Sequence, residues 1–111
     1  MRRAVATALL FAAQPVVADP FNYQVAYLDV ATKFAVAWCS GFEVNEAAKR
    51  QAIRTSGMSA AALANPPPDS GVHRLTTGLL ANKGNGCHAV WRDFGPNGFI
   101  APGILSTRQT R

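Results

Sequence analysis

Two cysteines and two histidines are the residues of this chain best suited to redox or metal chemistry. Cys39 and Cys87 lie 48 positions apart, whereas a thioredoxin-type redox centre needs two cysteines separated by only two residues. His73 and His88 do not have the short spacings from the cysteines that zinc ligands show. The four residues therefore predict neither a redox centre nor a metal site.

Cys87-His88 is the one dipeptide that matches part of a cofactor motif. Covalent c-type haem attachment uses C-x-x-C-H, with a first cysteine three residues before the second. Gly84 occupies that place, so only one thioether bond could form and the other cysteine would be left unpaired. We expect no cofactor, and the alternative is a haem or small-ligand module built on Trp38, Trp91 and His88.

The carboxylates are too scattered to suggest a catalytic pair or triad. There are six of them: Asp19, Asp29, Glu43, Glu46, Asp69 and Asp93. Only Glu43 and Glu46 are close in sequence, and acidic residues near a helix start are favoured by the helix dipole alone. No Ser–His–acid arrangement can be assembled with any specificity. We expect no catalytic residue and no enzymatic activity; an enzyme would have only His73 or His88 as its base.

The N-terminal segment has the layout of a secretory signal. Met1-Arg2-Arg3 is a short basic head, residues 4–13 are apolar apart from one threonine, and Ala18 is small enough for signal peptidase. The apolar stretch is shorter than the ~20 residues that span a bilayer. We expect a signal peptide over residues 1–18 and a periplasmic or secreted protein. The alternative is an N-terminal helix that the mature protein keeps.

Export would place the two cysteines in an oxidising compartment, where one intramolecular pairing, Cys39–Cys87, is available. Closing a loop of this length stabilises a fold by roughly 4 kcal/mol in the chain-entropy argument. A small domain has a total stability of only about 5–15 kcal/mol, so the bridge is expected to be decisive. Two free thiols or an intermolecular bridge are the alternatives.

The charge distribution argues against nucleic acid as a partner. The full chain has a formal net charge of +5, and loss of Arg2 and Arg3 leaves nine basic and six acidic residues, a net charge of +3. A nucleic-acid binder carries a cluster of Lys and Arg, which this chain lacks. We expect an unknown protein partner or client, and no stable membrane insertion after cleavage.

Helical periodicity runs through the first part of the predicted single domain, residues 19–105. Asp19-Pro20 predicts a helix start, apolar residues then recur at helical spacing up to Trp38, and Gly41 is the expected stop. The polar residues expected on the opposite face are Asp29, Thr32, Lys33 and Ser40. Asp29 and Lys33 are spaced to form an i,i+4 ion pair.

Two further helices are expected before a proline run. Asn45 caps a second helix that ends at Ser56 before Gly57, and Ser59–Ala64 can form one more short helix. Pro66–Pro68 then interrupts regular structure. We interpret this run as a stiff loop within the domain; the alternative is a polyproline docking segment.

The last helical region begins with Asp69 or Ser70 as the cap and continues to Phe94. Gly84-Asn85-Gly86 weakens it, so it is either one kinked helix or two helices. A turn at 95–98 ends it, residues 99–105 are expected to lie over the helices as an extended tail, and residues 106–111 to fray. The predicted fold is an all-α bundle of three to five helices with one inter-helix disulfide and an extended C-terminal tail.

Aromatic residues adjoin both cysteines. Trp38 precedes Cys39 and Trp91 lies one helical turn after Cys87, so both tryptophans should be buried beside the bridge in a mainly structural role; the alternative is a ligand cage. The candidate interaction surface consists of Trp38, Phe42, Trp91 and Phe94.

Four features of the chain form a pattern: Trp38 adjoins Cys39, Phe42 lies three residues after that cysteine, Cys87 lies 48 positions on, and the mature length is near ninety. From Trp38 to Cys87 the chain resembles HdeA-type acid-stress chaperones of the periplasm. The resemblance implies an all-helical fold with one disulfide and no cofactor, and exposure of apolar surface to unfolding clients at low pH. The chain departs from that family in its few carboxylates, its proline run and its apolar tail; it otherwise looks like small exported single-disulfide proteins of unassigned function. The function expected from all these features is that of a non-enzymatic interaction protein or stress chaperone.

Overall fold

The computed structural model describes residues 21–107. The predicted signal peptide 1–18, the Asp19-Pro20 pair and the last four positions of the tail lie outside the described residues. Within the described range five helices and two short strands follow one another: α1 (Tyr23–Trp38), β1 (Phe42–Val44), α2 (Glu46–Ser56), α3 (Ala60–Ala64), α4 (Val72–Ala81), α5 (Lys83–Phe94) and β2 (Leu105–Thr107). The mostly helical fold with five helices is confirmed, whereas the strand pair shows that the fold is not purely all-α.

The two strands form an antiparallel pair between the segment after α1 and the end of the described chain. Phe42 lies opposite Thr107 and Val44 opposite Leu105, and the Asn45 N–H donates to the Ile104 carbonyl at 2.8 Å. The tail is therefore partly a strand, and residues 106 and 107 are paired instead of frayed. Burial of Leu105, whose exposed fraction is 0%, explains why the tail is held here.

Helix α1 contacts α2, α4 and α5 and contributes more buried residues to the core than any other element. Its N-cap is Asn22, whose side chain accepts from the Val25 N–H at 3.2 Å, so the helix begins later than the predicted Asp19 cap. It ends at Trp38, and Gly41 with φ +85° turns the chain into β1. The buried cluster around it consists of Tyr27, Leu28, Ala31, Phe34, Ala35, Cys39, Leu79, Val90, Phe94, Ile104 and Leu105.

The polar face of α1 differs from the prediction at one residue. Asp29 pairs with Lys33 at 3.0 Å as expected, and also with Lys49 of α2 at 3.2 Å. Thr32, however, is 1% exposed. Its hydroxyl donates to the backbone carbonyls of Leu28 and Asp29 at 2.9 and 3.0 Å, and this satisfied hydroxyl can be buried at little cost.

The middle helices begin and end as the sequence predicts. Asn45 caps α2 by accepting from the Ala48 N–H at 3.1 Å, and Gly57 ends it in the left-handed conformation with φ +78°. Ser59 caps α3 through the Ala62 N–H at 3.0 Å. Pro66–Pro68 lies in the irregular segment that follows. These short helices contribute little to the core, because α2 and α3 contain no fully buried residue.

The last helical region is two helices, and the break between them lies before the glycines. Asn82 has an extended backbone and caps α5 by accepting from the Asn85 N–H at 3.1 Å, so Gly84 and Gly86 lie inside α5. Neither Asp69 nor Ser70 is the N-cap of α4. That position belongs to Gly71 at φ +87°, a backbone conformation that favours glycine.

Gly86 marks a close approach of α5 to α1. A Cβ at Gly86 would lie 2.8 Å from Phe34 Cζ and 3.0 Å from the Leu79 carbonyl oxygen. We expect Gly86→Ala to lower the free energy of unfolding by about 1–2 kcal/mol, because overpacking outweighs the gain in helix propensity. Gly78→Ala is the matched control, since a Cβ at Gly78 has no neighbour within 4 Å, and it should stabilise by up to ~1 kcal/mol. Urea unfolding measures both; equal stability of the two variants would contradict the close approach.

The predicted disulfide is present. Cys39 at the C-cap of α1 is bonded to Cys87 in α5, with a Cα–Cα distance of 5.7 Å. The bridge therefore joins α1 and α5 beside the point where their side chains pack. Cys39 itself is buried, with 6% of its surface exposed.

Candidate functional site

The four aromatic residues of the candidate interaction surface lie in three different environments. Phe94 has an exposed fraction of 0% and packs edge-to-face on Tyr27 with the ring centroids 5.1 Å apart. It is a core residue and cannot contact a partner in this state, which corrects the prediction for this position. The helical spacing of Phe94 is the same as that expected for an exposed aromatic residue. Spacing in the sequence does not show which neighbours cover a side chain.

Phe42 and Trp91 lie together beside the disulfide. Their ring centroids are 4.9 Å apart, and both are half-buried. With Cys87 and His88 they line a shallow depression of about 220 Å³. Trp91 thus flanks the bridge as expected.

Trp38 belongs to a separate surface, and the expectation that it is buried is wrong. Its carbonyl oxygen lies 3.8 Å from Cys87 Sγ, but 53% of its surface is exposed. Trp38 and Trp91 line different cavities, so the cage of Trp38, Trp91 and His88 considered for a ligand is not assembled.

An apolar groove of about 260 Å³ lies between α1 and α4, and we call it the Trp38 groove. Its lining residues are Val30, Lys33, Phe34, Ala37, Trp38, Thr76, Leu79 and Leu80. Phe34 and Leu79 are core residues at its base, whereas Trp38 and Leu80 are exposed to 53% and 40%. The groove is therefore open to solvent and continuous with the hydrophobic core.

The sequence of α1 explains why this surface is apolar. Residues 34–38 read Phe-Ala-Val-Ala-Trp, five consecutive apolar positions at the end of the helix. Because successive residues of an α-helix are rotated by about 100°, such a run cannot face the core throughout. Phe34 and Ala35 are buried, and Val36 and Trp38 are left at 67% and 53% exposure. This run is the sequence signal that could have located the groove.

Two lysines border the Trp38 groove. Lys33 lines it and is bonded to Asp29 at 3.0 Å. Lys83, the first residue of α5, has its Nζ 4.4 Å from the centroid of the Trp38 ring, a cation–π contact. The lining residues include no carboxylate, so the groove is apolar with a positive border. Lys83 and Leu80 were not among the predicted site residues.

A polar cluster of Tyr27, Arg92 and Asp93 extends from the core to the surface. The Tyr27 hydroxyl donates to Asp93 Oδ2 at 2.6 Å, and Arg92 donates to both Asp93 oxygens at 3.1 Å. Asp93 is 6% exposed although it is charged. Hydrogen bonds from Arg92 and then from Tyr27 lower the pKa of the Asp93 carboxyl, against the opposing effect of burial. Burial, and then the bond to Asp93, raises the pKa of the Tyr27 phenol.

This cluster acts as an internal polar contact of the fold. Both carboxylate oxygens of Asp93 already accept hydrogen bonds, and Tyr27 is only 8% exposed. A general base must lie within hydrogen-bond reach of its substrate, whereas Asp93 is 6% exposed and its carboxylate already accepts three hydrogen bonds from Tyr27 and Arg92. The hydrogen bond joins residues 66 positions apart. From the sequence, Asp93 is only one of six scattered carboxylates, and its contact with Tyr27 is not predicted.

Both histidines lie on the surface of the fold. His73 in α4 and His88 in α5 are both exposed. In residues 21–107 no group of three or more His, Cys, Asp or Glu side chains could hold a metal ion. Over the same part of the chain, no helix combines the length and the apolar character needed to cross a membrane.

The comparisons with known proteins do not assign this chain to a family. Scanning against protein-family models and searching the curated proteins and the solved structures found no match.

Proposed function

We propose that this chain is an exported, non-enzymatic protein-binding module, and that the Trp38 groove accepts apolar side chains of a partner or an unfolding client. The observation that carries the proposal is the half-exposed Trp38 at the edge of a groove whose base is the hydrophobic core. Contiguous exposed apolar surface marks interaction sites. Tryptophan is also among the residues that contribute most to binding at interfaces.

The size of the groove favours a protein partner over a small ligand. Pockets that enclose a small molecule typically measure about 300–1,000 Å³ and bury most of the ligand. The Trp38 groove is smaller, at about 260 Å³, and open to solvent. It suits side chains presented by a larger molecule, which would itself cover the exposed edges formed by Trp38 and Leu80.

The disulfide supports export. Cys39 and Cys87 are bonded, and such bridges persist in oxidising compartments. The bridge is compatible with a periplasmic or secreted protein, and the stress-chaperone form of the proposal places the client there.

The proposal is tested with oxidised protein and a labelled, chemically unfolded client. We expect the protein to bind the client in fluorescence anisotropy and to reduce its aggregation in light scattering between pH 7 and pH 3. Trp38→Ala should weaken binding by about tenfold or more, as loss of a central interface tryptophan does. Phe99→Ala is the matched control, since Phe99 is 80% exposed and lies outside the groove, and it should bind as the unchanged protein does.

Three outcomes separate the versions of this function. Binding of the client without suppression of its aggregation would support an interaction module and contradict the chaperone version. Equal loss of client binding in the Trp38 and Phe99 variants would show nonspecific hydrophobic binding and would exclude the groove as the binding site. Absence of binding at every pH would contradict the proposed function as a whole.

A further inference from the structure

We infer that the segment bound by the Trp38 groove carries a carboxylate next to its apolar side chains, and that the Lys83 ammonium receives this carboxylate. The inference rests on the proposed function, because it names the chemistry of the partner for the same groove. It follows from the juxtaposition of an open apolar groove with lysines at its border.

The charged residues around the groove are mostly lysines. Asp29 is the carboxylate that compensates this side of α1, and it is shared between Lys33 at 3.0 Å and Lys49 at 3.2 Å. Glu46 lies on the other side of Lys33, where it lines a different depression together with Lys33 and Lys49. Asp29 is thus shared between two lysines and Lys83 has no ion pair among the described salt bridges, so the border formed by Lys33 and Lys83 keeps an excess of positive charge.

The Lys83 ammonium lies at the border of the groove without a carboxylate from the described residues to neutralise it. No ion pair of Lys83 occurs among the described salt bridges; its ammonium lies over the Trp38 ring, 4.4 Å from the centroid. A charge-assisted hydrogen bond to a carboxylate is stronger than an exposed cation–π contact. The flexible side chain can turn its ammonium toward an arriving carboxylate while its methylene groups stay against the apolar surface. The Trp38 ring would then be open to an apolar side chain of the same ligand.

The apolar part of the ligand is set by the groove itself. Val30, Ala37 and Leu80 form its sides and Phe34 and Leu79 lie at its base. A ligand that only carried charge would gain nothing from these residues. One that was only apolar would leave the positive border without a counterpart. The arrangement is complementary to an amphipathic protein segment with an acidic residue among its apolar ones.

A second copy of this chain fits the same face poorly. A two-fold symmetric contact uses the same patch on both subunits, so the positively charged borders of both copies would lie in one interface. Like charges brought together across an interface oppose binding. The excess positive charge at the border therefore favours a different, acidic partner.

The test compares three labelled peptides with the same apolar residues and a central Glu, Gln or Lys. We expect the Glu peptide to bind about 5–10 times more tightly than the Gln peptide at low salt and the Lys peptide to bind most weakly. High salt should reduce the difference, since ion pairs at a surface are screened. Fluorescence anisotropy with the oxidised full chain gives the dissociation constants.

Substitutions assign the effect to Lys83. Lys83→Gln should abolish the preference for Glu over Gln while the Gln peptide still binds, and Lys83→Arg should restore it. Arg50→Gln is the control, since it removes the same charge from an exposed position of α2 outside the groove, and the preference should survive.

The outcomes distinguish this inference from the proposed function. Equal binding of the Glu and Gln peptides, both lost in Trp38→Ala, would overturn the carboxylate inference and leave the groove as a binding site. Failure of all three peptides would overturn both. Displacement of the Glu peptide by dodecanoate at lower concentration than by unlabelled peptide would show a lipid ligand and overturn the protein partner. Self-association in sedimentation that Trp38→Ala abolishes would overturn the protein partner as well.

Discussion

Replacing Cys39 and Cys87 together with alanine is expected to lower the free energy of unfolding by about 4 kcal/mol. The bridge closes a loop of 48 residues that contains β1, α2, α3 and α4. Without it the unfolded chain regains the freedom of that loop, while the folded state loses few contacts. Because α2 and α3 bury no residue fully, packing within the loop cannot replace the covalent link. Urea unfolding of the double variant and of the oxidised protein measures the difference.

Reduction of the unchanged protein is the control for this prediction. Treatment with a thiol should reduce stability by a similar amount, and the double variant should not respond to the thiol at all. A loss smaller than about 1 kcal/mol in the double variant would show that the helices hold together without the bridge. It would contradict the interpretation that the disulfide is decisive for this fold.

Acidification is expected to destabilise the protein through Asp93, because protonation removes the charge that the hydrogen bonds from Arg92 and Tyr27 stabilise in the folded state. Arg92 and Tyr27 hold the pKa of the Asp93 carboxyl below its usual value. A lowered pKa in the folded state means that this stabilisation is complete above the unfolded pKa of about 3.9. It is then lost as the pH falls through the lower, folded-state pKa. Urea unfolding between pH 7 and pH 2 follows the loss.

Two variants isolate the contribution of Asp93. Asp93→Asn should be less stable at pH 7 and lose less stability on acidification, because its side chain does not titrate. Asp69→Asn is the matched control, since Asp69 is exposed in the loop before α4, and it should keep the full dependence. An unchanged acid dependence in Asp93→Asn would contradict the role of the buried cluster.

Tyr27 adds a dependence at the alkaline end. Its pKa is raised by burial and by Asp93, so the folded state keeps the phenol protonated at pH values where the unfolded chain releases the proton. Stability should therefore fall as the pH rises above about 10, the ordinary value for tyrosine. Tyr27→Phe removes this alkaline loss, and the same titration detects it.

Features that depend on neighbouring residues could be predicted from the sequence. Asn45 and Gly57 bound α2 as expected because a cap is a local matter of one side chain and one backbone conformation. Asp29 and Lys33 pair because they lie one helical turn apart. The disulfide followed from the number of cysteines and from the expected compartment.

Features that depend on distant residues could not be predicted. The β1–β2 pair joins segments more than sixty residues apart, each only three residues long, and such short stretches have no periodicity to read. The Tyr27–Asp93 contact spans a similar separation. Phe94 and Trp38 fall in similar helical stripes, yet one is fully buried and the other half-exposed, because the neighbours that cover Phe94 come from other elements.

The break at Asn82 shows how two local signals can compete. The glycines of α5 suggested a weak point, but the asparagine side chain offers an N-cap one residue before the helix starts. Starting a new helix at Asn82 places Gly86 where α5 can approach Phe34 closely. Gly86 thus serves packing more than interruption.

The position of the disulfide also determines how the protein would respond to cleavage of its backbone. The exposed segment between Asn65 and Gly71 lies inside the loop closed by the bridge. A protease cut there would separate α1, β1, α2 and α3 from α4, α5 and β2, but the two fragments would remain attached through sulfur. They would also stay in register through the β1–β2 pair. A nicked molecule would keep its shape and its mass plus one water, and would fall into two pieces on a gel only after reduction.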